Sequence, residues 1–208
     1  EEFMELLQGE DPSFMTMLKK CPCYGTDDDY VDALGSRYAE QVYGAYLTKK
    51  PVGFIDAHTI TEHSFKRYIP QGAKIGPTPD GRHAAEPLCD SIAALRGKAI
   101  KGPTAMLRSA AKLPQHMAIG ISVLNLTLSK QLCQNLAVIP ALIKGYFREG
   151  GIQVQLTVTS TDELQDAILH PERHKDLIVR IGGYSEYFNK LTPEIKQSIL
   201  ERNIHEGV

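Results

Sequence analysis

Leu177-Ile178-Val179-Arg180-Ile181-Gly182-Gly183-Tyr184-Ser185 carries more information than any other segment of this chain. The branched aliphatic run from Leu177 to Ile181 predicts a strand, and it leads straight into two adjacent glycines, which mark a turn. Beyond the turn, Thr192 supplies a helix cap and Pro193 the first position of a closing helix. Read alone, this is a strand followed by a tight turn, a device that many folds use.

Working backwards, Ile152, Val154, Leu156 and Val158 alternate with Gln153, Gln155 and Thr157. That period of two predicts a strand with one apolar and one polar face, and the polar face, Gln153 and Gln155 above all, is a candidate lining for a cavity. Ser160 and Glu163 form a capping box for a short helix carrying Leu164, Ala167 and Ile168, which His170-Pro171 ends. A helix is predicted over roughly 134–148, broken by Gly150-Gly151, and a strand buried on both faces over Ile121–Leu126. From about 70 to 104 the density of glycine and proline predicts extended loops, a long irregular stretch of the kind that is usually functional. Nearer the start, a helix near 11–20 runs into the turn Cys21-Pro22-Cys23-Tyr24-Gly25. A longer helix follows, capped by Asp27 and Asp28, with Tyr30, Leu34, Tyr38, Val42 and Ala45 at helical spacing, and Lys49-Lys50-Pro51 stops it. Helices alternating with strands predict an α/β fold. The organisation expected is a helical region over 1–70 and a second region over 71–208, packed as one compact unit.

The 208 residues are 42% hydrophobic and 23% charged, enough to bury a core and too apolar for disorder. A formal net charge of -2 gives no field that would recruit nucleic acid or an anionic membrane surface. With neither a signal segment nor an apolar run of membrane-crossing length, the expected location is the cytoplasm. Four cysteines, two of them in a tight Cys-Pro-Cys, suit a reducing compartment better than a disulfide scaffold.

The hexapeptide Arg180–Ser185 resembles the signature of the glycyl radical enzymes, Arg-Val-x-Gly-Tyr followed by Ser or Ala. Gly76-Pro77-Thr78-Pro79-Asp80-Gly81-Arg82 through Leu88 is similar to that family's Pro-Asp-Gly-Arg loop. Gly102-Pro103-Thr104-Ala105 with Ser109 and Lys112-Leu113 resembles its next stretch, and His170-Pro171-Glu172 precedes the signature strand as it does there. Phe188–Thr192 with Gln197 and Arg202 continues the likeness, which covers essentially the whole chain in the right order.

The resemblance implies that Gly183 carries an organic radical, with Arg180 and Tyr184 anchoring the loop by hydrogen bonding and packing and Gly182 supporting it by adding freedom of motion. Glycine suits that task because a radical shared between an amide nitrogen and a carbonyl requires the α-carbon to flatten, which a Cβ would oppose. The implied fold is part of a ten-stranded barrel, its second half-barrel, with surrounding helices and a C-terminal radical loop. The radical would be installed by a separate radical S-adenosylmethionine enzyme with an iron–sulfur cluster, which must reach a glycine otherwise buried from solvent. No metal or organic cofactor is expected in this chain itself. In the family the radical is passed to a cysteine preceded by glycine; here Gly precedes none of Cys21, Cys23, Cys89 or Cys133. The expected partner is therefore a larger subunit or a missing N-terminal portion that holds that cysteine, and the strands at 121–126 and 152–158 would meet its strands. The Glu86-Pro87-Leu88 spelling favours a lyase or dehydratase acting on a small molecule under anaerobic conditions, while Phe188–Thr192 leans towards pyruvate formate-lyase, leaving an acyltransferase portion open. Two non-catalytic roles also stay open: a spare part that repairs an oxygen-cleaved radical enzyme, and a plain α/β binding module.

Three further groups receive ordinary readings. Asp27-Asp28-Asp29 lacks the glycine and distal glutamate of a calcium loop and is assigned to helix capping. His58 and His63, with Glu62 between, do not have zinc-protease spacing and are assigned no metal. Arg82 and His83 are expected to pack within their loop.

Overall fold

The computed structural model describes residues 1–49, 59–202 and 204–205. Lys50, Pro51 and His58, named above, lie outside them. The chain opens with helices α1 (Glu2–Gln8), α2 (Pro12–Lys20) and α3 (Asp29–Leu47). Both longer helices begin as their composition dictates. The Asp11 carboxylate accepts from the Phe14 amide at 2.9 Å with Pro12 in the first turn, and Asp28 accepts from Val31 at 3.1 Å. The α3 periodicity is helical, yet its stripe faces outward. Asp32 is the buried residue of this helix, while Tyr30 is 75% and Tyr38 71% exposed.

After strand β1 (Thr61–Glu62) and helix α4 (Tyr68–Gly72), residues 73–101 run as turns and extended loop. Arg82, 2% exposed, organises that stretch by donating to the carbonyls of Ile75, Gly76, His83 and Glu86. The irregular stretch ends earlier than the expected 104. Gly102 takes φ +85° and Pro103 fills the first turn of α5 (Gly102–Ala111).

The expected strand Ile121–Leu126 is two strands in different sheets. β2 (Ile121–Ser122) pairs with β1 in parallel, whereas β3 (Asn125–Leu128) is the central strand of a parallel trio. The break falls at Val123 and Leu124, whose amides turn to Glu62 O and to the Gln153 side chain. Helix α6 (Val138–Arg148) starts later than 134 because the Asn135 side chain accepts from the Ala137 amide and fixes a turn there. Strand β4 (Gln155–Val158) flanks β3, with Asn125 opposite Gln155 and Thr127 opposite Thr157. Helix α7 (Thr161–Leu169) follows, started by the Ser160 capping oxygen, then the antiparallel pair β5 (Ile178–Arg180) and β6 (Ser185–Tyr187), helix α8 (Pro193–Leu200), and strand β7 (Ile204–His205), which closes the other side of β3.

Two apolar clusters flank this sheet. One joins α5, α6 and β3 through Met106, Leu107, Leu126, Leu142 and Tyr146. The other joins α7, β5 and α8 through Leu164, Val179, Ile181, Phe188 and Ile195. On β4 the polar positions Gln155 and Thr157 are the buried ones, and Val158 is exposed. The polar face of the alternation therefore points inward, towards β5.

Candidate functional site

The paired glycines form the tip of the β5–β6 hairpin. Arg180 lies opposite Ser185, and the Ile181 amide donates to Tyr184 O at 3.0 Å, leaving Gly182 and Gly183 as the two-residue connection. Gly183 takes φ +89°, a conformation that L side chains rarely adopt. Gly182 is buried because the chain passes closely over it. A Cβ there would lie 3.1 Å from Phe65 Cα, and one on Gly183 would lie 3.3 Å from Phe65 Cε1. Phe65 itself takes φ +45°, and its segment is fixed by reciprocal bonds in which the Ser64 and Ser91 amides each donate to the other's hydroxyl.

Side chains from other parts of the chain hold the hairpin. Gln155 Oε1 accepts from the Gly183 amide at 3.2 Å and from Arg180 Nε at 3.1 Å. Arg180 also donates to Ser185 Oγ at 2.9 Å. Asn125 Nδ2 donates to Ile181 O at 2.9 Å and to Asp90 Oδ2 at 3.0 Å. Arg202 donates to the carbonyls of Arg180 and Ile181 at 2.7 and 2.9 Å and pairs with Asp90 at 2.7 Å. Burial pushes the Asp90 carboxyl above its usual range, and Arg202, Asn125 and Ser91 pull it partly back. Tyr184, 42% exposed, faces the Phe65 ring at 6.5 Å.

Of the residues singled out in the sequence, Arg180, Gly182, Gly183, Tyr184 and Gln155 therefore meet at one place. Gln153 does not join them, because its side-chain oxygen accepts from the Leu124 amide at 3.2 Å. Asp90 and Asn125 belong to the site and carried no local signal. Gly183, expected to be shielded, is exposed in this chain, with Phe65 covering one side of it. The cysteines lie elsewhere: Cys21, Cys23 and Cys89 line a cavity with Tyr24 and Pro79, and Cys133 packs beside the α5–α6 cluster.

The other tempting groups take structural parts. Asp27 and Asp29 pair with Lys112, and Asp27 with Arg108, while Asp28 caps α3. His83 bonds Glu10 and Lys19, and His63 stacks edge-on against Phe65 at 4.3 Å. Among the described residues no group of three His, Cys, Asp or Glu is placed to hold a metal ion, and no helix is long and apolar enough to cross a membrane.

The family model described as "Glycine radical" matches residues 88–189. The chain is 32% identical over 200 residues to the probable dehydratase YbiW of Escherichia coli (strain K12), an alignment covering 91% of this chain and 24% of that protein. It is 30% identical over 201 residues to trans-4-hydroxy-L-proline dehydratase of Clostridioides difficile, covering 94% and 25%. The glycerol-bound B12-independent glycerol dehydratase from Clostridium butyricum superposes with a TM-score of 0.92 at 30% identity, over 99% of this chain and 27% of that one. The chain thus spans about a quarter of the length of the relatives it matches.

Proposed function

We propose that this chain, which carries the glycine radical domain of the glycyl radical enzymes over residues 88–189 and has the α/β fold of part of their barrel, stores an unpaired electron on Gly183. The observation that carries the reading is the hairpin tip itself. Gly183 occupies a backbone conformation open to glycine, its amide is held by Gln155, and its outer side is uncovered. Loss of one hydrogen atom from its α-carbon leaves a planar centre conjugated with the peptide groups on both sides, with no side chain to resist flattening. A radical S-adenosylmethionine activating enzyme would take that hydrogen. Arg180, Gly182 and Tyr184 keep the tip in place.

The stored electron serves catalysis only when a thiol reaches it. A cysteine outside these 208 residues gives its S–H hydrogen to Gly183, and the resulting thiyl takes hydrogen from a carbon of a small substrate. Elimination of a leaving group from the neighbouring carbon follows, the reaction type named for the dehydratases among the relatives. The exposed side of Gly183 favours this division of labour, because an uncovered carbon radical is open to quenching by dioxygen and needs a covering partner. That partner is the remaining portion of the enzyme, in the same polypeptide or as a separate subunit, and the outward stripe of α3 offers it an apolar docking edge.

The test is anaerobic activation followed by electron paramagnetic resonance. The expected signal is a doublet from the remaining α-proton that disappears in Gly183→Ala. A silent wild-type chain, in the presence of both activating enzyme and partner portion, would sink the reading.

A further inference from the structure

Asn125 and Gln155 are direct register partners across the parallel β3–β4 pair, so their side chains leave the same face of the sheet. Both are buried, at 9% and 6% exposure. Through Nδ2, Asn125 donates to the carbonyl of Ile181, and through Oε1, Gln155 accepts from the amide of Gly183. One carboxamide supplies the donor and its neighbour the acceptor, and they grip the hairpin on either side of Gly182. Those two bonds orient two successive peptide planes, 181–182 and 182–183, that lead into the Gly183 α-carbon. Phe65 closes over the residue between them.

We propose that Asn125 and Gln155 act together as the positioning clamp of the radical loop. Gln155 fixes the direction of the Gly183 N–H, and hence the peptide plane with which the radical must be conjugated. Its second bond, from Arg180 Nε, keeps the carboxamide from rotating away. Asn125 is steadied in the same way by Asp90, itself pinned by Arg202. The part played in catalysis rests on the radical reading, whereas the clamp is a property of the chain as it stands.

The experiment is amide hydrogen exchange on the chain, followed by anaerobic activation of the same samples with the activating enzyme and the partner portion present. Gln155→Leu removes the acceptor at nearly equal volume and is expected to speed exchange at Gly183 about tenfold, the size set by one lost net hydrogen bond. Amides inside β3 and β4 should keep their protection. Gln155→Glu, which retains an acceptor for both donors, is expected to restore the slow exchange. After activation, Gln155→Leu should change the splitting of the α-proton doublet, and Gln155→Glu should return it. If Gln155→Leu opens the whole sheet, Gln155→Asn, one methylene shorter, is read in its place by the same two outcomes. Unchanged exchange at Gly183 together with an unchanged doublet overturns the clamp. Faster exchange at Gly183 with no doublet in the wild type upholds the clamp and overturns the radical reading instead, so the two can be told apart.

Discussion

At Gly183 the backbone conformation and the proposed chemistry ask for the same residue. With φ at +89° and Phe65 Cε1 only 3.3 Å from an added Cβ, Gly183→Ala is expected to cost roughly 1–2 kcal/mol of folding stability, read by urea unfolding, besides abolishing the radical signal. An unfolding midpoint equal to wild type would mean the tip had relaxed into another conformation. The turn was legible in the sequence because paired glycines after an aliphatic strand mark one, whereas the choice of Gly183 rests on the family resemblance. Gln155 was legible only in part. Alternation tells which residues share a face and not which face is inside, and here the polar face turns inward because the Gly183 and Arg180 N–H groups need an acceptor there. Asp90 and Asn125 meet Arg202, which the sequence offered only as part of the family likeness, through packing of segments far apart, and no local pattern announces such a network.

Among the elements, helix starts were placed well where Asp11, Asp28 and Ser160 supply a local physical reason for them, although Asp27, expected to share the capping of α3, pairs with Arg108 and Lys112 instead. Boundaries failed where tertiary bonds intervened, as at Val123–Leu124, where one apolar run serves two sheets. Helix α5 as a whole was missed for a different reason: Gly-Pro reads as loop, yet a glycine at φ +85° followed by proline is also a helix entry. The join between α6 and β4 is sharper than its Gly150-Gly151 spelling suggests. A Cβ on Gly151 would overlap the buried Tyr146 ring, whose hydroxyl bonds Gln115. Gly151→Ala is therefore expected to destabilise the chain by about 1–3 kcal/mol through overpacking. The companion Gly150→Ala meets no atom closer than 3.6 Å and suffers only from its φ of +107°. Calorimetric melting of the two variants with Gly151→Ala no less stable than wild type would contradict the packing described.

For the molecule as a whole, acid sensitivity follows from His205 on β7. Burial drives its pKa from the ordinary 6.5 down to about 4. Because the unfolded chain holds that proton more tightly, the contribution to stability is complete above about pH 6.5 and is lost as the pH falls through about 4. The loss is roughly 3 kcal/mol over that window. Urea unfolding at pH 7 and pH 4 should show this extra loss in the wild type and not in His205→Phe; equal losses in both would refute it. The α3 stripe gives a second expectation at this scale. Replacing Tyr30 and Tyr38 together by serine should leave folding within about 0.5 kcal/mol, while weakening co-purification with the proposed partner portion. Retained co-purification would place the docking edge elsewhere.

The clasp of Arg202 on the carbonyls of Arg180 and Ile181 also sets an order of events during synthesis. Phe65, Asp90, Asn125 and Gln155 all leave the ribosome before the glycine tip does, and this arginine leaves after it. A nascent chain halted between residues 185 and 202 would therefore present a glycine tip gripped by Asn125 and Gln155 but without its arginine clasp, which waits until the turn that follows α8 has emerged.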